Sequence, residues 1–231
     1  MALSHSPKIV TDGLVLCLDA ADPKSYSGSG TTWYDRSGNG SNGALTNGPT
    51  FDSANGGSIN FDGSNDYIQS SVTGNMSTTD YTVTINAKYV YHTPSNTTFW
   101  GFSEGGSQAY KTFCFQTWNG ANNQIMFFNG NGSSYQSQIF TPTGLDIYSY
   151  NEYTFVILSS GNISLYINGE LYNTWTGNTY RNSDNFDRVW VATRIDQTFR
   201  GNVANFKVYN RALTDTEVVQ NYNATKGRFG L

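Results

Sequence analysis

The carboxylates most suggestive of a metal site lie in the stretch FDGSNDYIQ. Asp62, Ser64 and Asp66 occupy alternate positions, as the first ligands of a calcium-binding loop do. The rest of an EF-hand is missing, because Tyr67 stands where that loop needs glycine and Thr73 where it needs glutamate. The spacing therefore indicates carboxylates that could bind calcium only with help from elsewhere in the chain.

The same stretch is typical of a tight turn. The runs 58–61 and 67–69 have the apolar content of short strands, and Asp-Gly-Ser-Asn between them is rich in turn-forming residues. We interpret it as a hairpin, and keep open a calcium ion held by Asp62 or Asp66 with ligands from another loop.

Catalytic groups are scattered along the chain. Paired-carboxylate hydrolysis needs two acids facing one cleft, and no strand carries two or three acids on one face; the glutamates are Glu104, Glu152, Glu170 and Glu217. A Ser-His-Asp set would have to use His5 or His92, which lie in a terminus and before a proline-containing loop. The glycine pattern GNGSNG at 38–43 has no helix signal after it, so it does not indicate a dinucleotide site. We expect no enzymatic activity and no cofactor except, as an open alternative, calcium.

Two predicted loops combine aromatic and amide side chains, which suit sugars because rings stack on sugar faces and amides bond to hydroxyls. The candidate ligand-binding residues are Trp118, Asn119, Asn122 and Tyr135. The alternative is that these aromatic rings pack against the core. An exposed, concave aromatic patch would distinguish the two interpretations.

Composition and charge limit the class of partner. The formal net charge is −4 and no cluster of Lys and Arg appears, so we expect no nucleic-acid partner. Aromatic residues make up 15% of the chain, which argues for a folded core. The opening MALSHSPKIV lacks the pattern of a secretory signal, and no apolar run is long enough to span a membrane.

Alternating strands and glycine-asparagine turns predict an all-β fold. In 81–89 apolar residues alternate with Thr82, Thr84, Asn86 and Lys88, which predicts a strand with one face in water. In NISLYINGELYNT the Asn168-Gly169 pair is a strong hairpin signal, since both residues tolerate positive φ. Many short strands of this kind predict a sandwich, jelly roll or barrel.

One helix is predicted after the last strand. Thr214 and Glu217 have the spacing of a capping box, with Leu213 and Val218 as its hydrophobic staple. We expect a short helix over 215–226 that packs on the sandwich. The domain organisation is then an N-terminal arm over 1–12, suited to docking, and a single domain over 13–231.

The two cysteines, Cys17 and Cys114, lie in apolar, strand-like runs. This pattern favours two buried free thiols, and a disulfide stays open if their strands are neighbours.

The closing segment RGNVANFKVYNRALTDTEVVQNYNATKGRFGL, residues 200–231, resembles that of laminin-G-like, concanavalin A-like jelly-roll domains, in which a strand ending in YNRAL runs into a capped helix. FDGSNDYI is similar to the family's early hairpin, and ISLYINGEL to its later one. The opening GLVLCLDAADPKSYSGSGTTWYDRSGNGSNG resembles versions common in virion proteins of marine tailed phages, especially those of cyanobacteria. The resemblance covers nearly the whole chain and implies an all-β, two-sheet antiparallel jelly-roll sandwich with one short C-terminal helix.

The resemblance also carries expectations about sites. Some members bind glycans or proteins, often at a calcium-bearing rim, and others are structural. The E-x-D-x-x-E strand of the family's glucanase branch is absent here. Where relatives often have Asp-Glu, this chain has Ala204-Asn205, which leaves Asp196 as a further candidate metal ligand beside Asp62 and Asp66.

Two functions follow as hypotheses. The first is a structural virion protein of a marine tailed phage, displayed on capsid or tail as a decoration or fibre component and assembled in the host cytoplasm. Its partners would be other virion proteins, and symmetric homo-oligomerisation is the expectation for such a component. The alternative is a carbohydrate- or receptor-binding, lectin-like module that holds a host surface glycan, with or without calcium.

Overall fold

The computed structural model describes residues 7–91, 96–104, 113–118, 124–130, 135–177, 185–193 and 198–231. In these ranges the chain forms two antiparallel sheets packed face to face, with one α-helix after the last strand. The predicted all-β sandwich with a short C-terminal helix is confirmed.

The helices and strands follow one another along the chain with short connections. In order they are β1 (Leu14–Asp19), β2 (Thr32–Trp33), β3 (Gly43–Thr46), β4 (Thr50–Asp52), β5 (Ser58–Asp62), β6 (Tyr67–Ser70), β7 (Gly74–Asn75), β8 (Tyr81–Tyr89), β9 (Thr98–Ser103), β10 (Phe113–Thr117), β11 (Ile125–Gly130), β12 (Tyr135–Phe140), β13 (Asn151–Ile157), β14 (Ile163–Ile167), β15 (Glu170–Trp175), β16 (Asn185–Phe186), β17 (Arg188–Val191), β18 (Arg200–Tyr209) and α1 (Asp215–Thr225).

The strand order leaves two edge strands on the same side of the sandwich. Sheet A runs β15-β14-β13-β8-β18-β5-β4, with β1 paired to the second half of β18. Sheet B runs β12-β11-β10-β9-β17-β6-β3-β2, and β7 pairs with β16 in a short separate ribbon. Phe140 of β12 contacts Tyr172 and Trp175 of β15, so these two edges face each other.

Aromatic side chains from the two inner faces fill the core. The ring of Phe155 in sheet A meets the rings of Trp100, Phe113, Phe115 and Phe127 in sheet B, with centroids 5.0 to 5.9 Å apart. All five side chains are buried. Burying each contributes about 1.5–3 kcal/mol, so this cluster is a major part of what holds the sheets together.

The hairpin predicted over 58–69 is wrong. Its two strands form, but β5 joins sheet A and β6 joins sheet B, so the chain crosses from one sheet to the other at 62–66. Turn-forming residues report where the chain changes direction. They do not report which sheet the next strand joins, because that depends on distant pairing partners.

The prediction that one face of β8 is wet is also wrong. Thr82, Thr84 and Asn86 are buried, because α1 and the segment from Lys8 to Asp12 cover the outer face of sheet A. Thr84 bonds to Thr154 across the neighbouring strand at 3.0 Å, and Asn86 donates to Glu152 at 2.9 Å. The polar residues of this strand therefore face a second protein layer.

The C-terminal helix begins with the predicted capping box. The Thr214 hydroxyl accepts from the Glu217 amide at 3.3 Å, and the Glu217 carboxylate accepts from the Thr214 amide at 2.9 Å. Leu213 and Val218 of the predicted staple are both buried. No helix in the described ranges is long and apolar enough to cross a lipid bilayer.

Part of the predicted N-terminal arm packs on this helix. The Val10 amide donates to Asn221 at 2.8 Å, and its carbonyl accepts from the Tyr209 hydroxyl at 3.0 Å. The Gln220 side chain donates to the Lys8 carbonyl at 2.7 Å. Residues 1–6 lie outside the described part of the chain.

The hairpin at Asn168-Gly169 forms as predicted between β14 and β15, with φ of 53° and 80° at the two turn residues. A Cβ atom on Gly169 would lie 2.8 Å from the Tyr222 ring of α1. Glycine therefore meets two needs here, the positive φ and the close approach of the helix.

Cys17 and Cys114 are both buried thiols that form no disulfide, as the favoured interpretation predicts. Cys17 lies in sheet A and Cys114 in sheet B, so the condition for a disulfide is not met. Burial raises the pKa of Cys17 to about 11, which keeps it a thiol near neutral pH.

Candidate functional site

The crossover at 62–66 brings two of the predicted metal ligands together. Asp66 is buried and accepts the Asp62 amide at 3.1 Å, while Asp62 accepts the Ser64 amide at 2.7 Å. Burial raises the pKa of Asp66; the hydrogen bond from the Asp62 amide partly opposes this rise, and the negative charge of Asp62 adds to it. Two carboxylates this close to each other would gain from a cation.

A complete metal site does not appear among the described side chains. No group of three or more His, Cys, Asp or Glu residues there is arranged to hold a metal ion. Thr198 donates to the Gly63 carbonyl at 2.6 Å, so the segment that follows Asp196 reaches the crossover. Asp196 itself lies outside the described residues, and calcium at Asp62 and Asp66 stays a prediction.

Little of the predicted sugar-binding cluster can be located. The Trp118 side chain is exposed at the end of β10, and its amide donates to the Gln124 carbonyl at 2.9 Å. Asn119 and Asn122 lie outside the described residues. Tyr135 begins β12, and its side chain is also outside the described part of the structure.

A different aromatic surface stands at the open side of the sandwich. Phe140, Tyr172 and Trp175 contact one another, with centroid distances of 5.4, 5.2 and 6.4 Å, and we call these three rings the aromatic edge. Tyr172 is 38% exposed, and its neighbour Leu171 is 54% exposed. Rings at a sheet edge that stay partly in water are available to a ligand.

A β-bulge sets the direction of Tyr172. Leu165 of β14 pairs with Asn173 and Tyr166 pairs with Leu171, so Tyr172 is the extra, unpaired residue of β15. Bulges at sheet edges turn a side chain away from the regular alternation. Here the bulged ring contacts Phe140 of the opposite sheet.

A pocket of about 380 Å³ opens beside Tyr172. Its walls come from the connection after β12 and from the β14–β15 hairpin; the lining residues are Pro142, Thr143, Gly144, Leu145, Ile167, Asn168, Glu170, Leu171 and Tyr172. The volume falls within the range of small-ligand sites. The pocket therefore combines an exposed ring, a few apolar side chains and a lining that is more polar than apolar.

The polar groups of the pocket differ in their availability. Asn168 is partly occupied, because its amide donates one of its two hydrogens to Asn151 at 2.9 Å and its oxygen accepts from the Glu152 amide at 2.9 Å. Glu170 is exposed, and its carboxylate has no hydrogen-bond or ion-pair partner among the described residues. Thr143 is exposed in the opposite wall. Glu170 and Thr143 are thus the side chains free to meet a ligand.

A second polar group lies under α1, away from solvent. Glu152 accepts from Asn86 at 2.9 Å and from Thr225 of α1 at 3.3 Å, and Lys207 donates to Asn205 at 2.7 Å. Burial raises the pKa of Glu152, and the positive charge of Lys207 partly opposes this rise. Because helix and strand enclose this network, we assign it to the docking of α1 and not to a ligand.

The sequence shows the residues of the aromatic edge, but it does not show that they lie at the edge of a sheet. The segment after Asn168-Gly169 holds Leu171, Tyr172 and Trp175 without a proline or lysine, the residues that commonly protect edge strands. Alternation identifies such a strand, yet cannot tell an edge strand from a central one. The bulge at Tyr172 is equally invisible before the pairing register is known.

Comparison with solved structures identifies the fold. The binding domain of botulinum neurotoxin serotype D superposes with a TM-score of 0.70 at 16% identity, over 92% of this chain and 52% of that one. The botulinum neurotoxin DC binding domain in complex with rat synaptotagmin II gives 0.69 at 15% identity, over 94% and 52%. The serotype D ligand binding domain in complex with N-acetylneuraminic acid gives 0.68 at 16%, over 92% and 51%. At this identity the likeness establishes the jelly-roll fold alone.

The chain spans about half the length of these neurotoxin structures. No curated protein matches its sequence. A family model, Laminin_G_3 of the concanavalin A-like lectin/glucanases superfamily, matches residues 62–219. That range begins at the crossover and ends within α1, and so includes both walls of the pocket. The chain therefore belongs to the Laminin_G_3 family of concanavalin A-like domains.

Proposed function

We propose that this chain is a carbohydrate-binding module whose site is the pocket at the aromatic edge. The observation that carries the proposal is the Tyr172 ring, 38% exposed and placed by a β-bulge beside a pocket of about 380 Å³. Sugars present apolar ring faces and many hydroxyls. A ring beside a free carboxylate and a hydroxyl matches both features.

The neighbouring structures support this proposal only at the level of the fold. One of the neurotoxin domains forms a complex with rat synaptotagmin II and another a complex with N-acetylneuraminic acid. Since the chain spans about half of those domains, their ligands are not transferred to it. The argument for this chain rests on its own pocket, which is separate from the predicted cluster around Trp118.

The experiment compares Tyr172→Ala with Tyr34→Ala on a glycan array, followed by calorimetry on any glycan retained. Tyr34 is 53% exposed and does not line the pocket, so it controls for loss of a surface ring. We expect Tyr172→Ala to weaken binding by about tenfold or more, as for an anchoring ring, and Tyr34→Ala to leave it unchanged. Equal glycan binding by the wild type, Tyr172→Ala and Tyr34→Ala would show that the glycan site lies elsewhere on the protein.

Calcium is part of the same proposal, at Asp62 and Asp66. Each binding measurement is therefore made with calcium and with EDTA. An ion at the crossover would stabilise that loop, and we expect it to raise the melting temperature without being a direct ligand of the pocket.

We propose that the module binds without catalysis and works on a phage virion. The resemblance of the opening segment to phage virion proteins supports the virion part of the proposal. This part also proposes other virion proteins as partners and a homo-oligomeric state. Incubation of bound glycans with the protein, followed by chromatography, tests for hydrolysis. Cleavage products would overturn the non-catalytic part of the proposal.

A further inference from the structure

The charge of the pocket restricts which glycans it can accept. Among the residues that the structure describes, its lining includes one carboxylate, Glu170, and no lysine, arginine or histidine. Because Glu170 has no described hydrogen-bond or ion-pair partner, its negative charge is not neutralised within the pocket wall. The protein as a whole adds to this field with a net charge of −4.

One cation lies behind the hairpin. The Lys226 ammonium sits 5.3 Å from the centroid of the Tyr222 ring, and Tyr222 packs on Gly169 from the side of α1. Lys226 is not among the residues that line the pocket. It therefore offers no direct ion pair to an acidic sugar lying against Tyr172.

The remaining polar groups select for hydroxyls. A carboxylate accepts hydrogen bonds and cannot donate them, so Glu170 requires donors from the ligand. The Asn168 amide gives one of its two hydrogens to Asn151, and the Thr143 hydroxyl can donate to either class of ligand, so Glu170 is the group that treats acidic and neutral sugars differently. A sugar hydroxyl is such a donor, whereas a sugar carboxylate or sulfate would face Glu170 as a like charge.

We infer that the pocket is selective for neutral glycans over acidic ones and that Glu170 determines this selectivity. The inference rests on the proposed carbohydrate-binding function at this pocket. Tyr172 then supplies affinity for both classes of glycan, and Glu170 discriminates between them. The inferred selectivity for neutral glycans differs from what is seen in the serotype D neurotoxin domain, whose structure holds the acidic sugar N-acetylneuraminic acid.

The test uses an array that pairs neutral oligosaccharides with their sialylated and sulfated versions. Wild type, Glu170→Gln, Tyr172→Ala and Asp12→Asn are compared at low and at physiological salt. Asp12 is 86% exposed and does not line the pocket, so Asp12→Asn makes the same change in net charge elsewhere. Circular dichroism confirms that each variant is folded.

We expect wild type to prefer the neutral member of each pair by about fivefold, the size of one like-charge contact in water. Glu170→Gln should abolish the preference, and Asp12→Asn should retain it. The preference should shrink as salt screens the charges.

Two results would overturn the inference in distinguishable ways. If acidic glycans bind as well as neutral ones, or if Glu170→Gln behaves as Asp12→Asn does, the selectivity is refuted while the carbohydrate-binding function stands. If wild type retains no glycan of either class, the proposed function fails and the selectivity fails with it.

Discussion

At the scale of single residues, Glu217 shows how one side chain can serve several contacts. Its carboxylate accepts from Arg211 at 2.6 and 2.9 Å and from the Thr214 amide. These contacts, the Arg211 hydrogen bonds first, lower the pKa of Glu217 from its ordinary 4.5 to about 2. The carboxylate thus joins the start of α1 to the residues that follow β18.

The lowered pKa predicts a dependence of stability on pH. Because the folded pKa lies below the unfolded one, the contribution is complete above about pH 5 and is lost as the pH falls from 4.5 towards 2. Glu217→Gln keeps a side chain that can cap the helix and removes the ion pair. We expect it to lower the free energy of unfolding by about 1–2 kcal/mol at pH 7, less than the full pKa shift implies because the pair is partly solvated.

Urea unfolding at pH 7 and pH 3 measures this effect. The difference between wild type and Glu217→Gln should fall to less than half at pH 3. Glu170→Gln, whose carboxylate has no described partner, serves as the control and should change stability little at either pH. A Glu217→Gln difference that is constant with pH would show that the ion pair contributes nothing.

At the scale of elements, the docking of α1 on sheet A combines two kinds of contact. Its first half packs Val218 into an apolar cluster with Leu213 and Val10. Its second half bonds Thr225 to the buried carboxylate of Glu152, and the positive charge of Lys207, which is also buried, partly opposes the rise in the pKa of that carboxylate. Glu152 Oε1 and Asn205 Nδ2 have no hydrogen-bond partner among the described protein atoms. The buried polar groups of this layer are therefore incompletely satisfied, and losing a further contact should destabilise the fold.

Removing one charge of that layer should therefore lower the free energy of unfolding substantially. Lys207→Met removes the positive charge that partly offsets the burial of Glu152 and also the hydrogen bond to Asn205, and leaving a buried carboxylate uncompensated costs up to about 3–5 kcal/mol. Lys88→Met is the matched control, since Lys88 lies on the same outer face of sheet A but is partly exposed. We expect the control to change stability by less than about 0.5 kcal/mol.

A double-mutant cycle separates the charge effect from packing. Adding Glu152→Gln to Lys207→Met should recover part of the lost free energy of unfolding, measured by urea denaturation at pH 7. Hydrogen exchange should locate the loss in α1. If the two substitutions are additive and exchange in α1 does not change, the buried charges do not help to dock the helix.

At the scale of the whole molecule, the sandwich presents its aromatic edge on one side, while α1 and the N-terminal segment cover the outer face of sheet A. This arrangement leaves the β12–β15 side of the sandwich open to a ligand, whereas the segment from Lys8 to Val10 packs on α1.

The virion proposal predicts a defined copy number. Under this proposal a phage encodes the chain, and mass spectrometry of the purified virions of that phage should detect the protein, with its abundance judged against the major capsid protein. Hundreds of copies would indicate capsid decoration, and a few to a few dozen a tail or fibre component. Its absence from virions would refute the virion setting and leave a lectin-like module acting alone.

Local signals in the sequence determined the elements. Period-two alternation located β8, the Asn168-Gly169 pair placed the β14–β15 turn, and Thr214 with Glu217 set the start of α1. These signals are reliable because each depends on residues a few positions apart. Together with the resemblance of the closing segment, they were enough for the two-sheet sandwich.

Only the tertiary structure shows which sheet each strand joins and which of its faces are buried. It sent β5 and β6 into opposite sheets, buried the polar face of β8 under α1, and made β15 an edge strand with Tyr172 in a bulge. The positions of β5 and β8 depend on partners 60 or more residues away in the chain. The edge position of β15 depends on the strand order, in which no other described strand pairs with its outer side. Sequence patterns record the periodicity of a strand and its turns. They contain no record of what packs against each face, and it is this packing that left Tyr172 and Glu170 exposed beside a pocket.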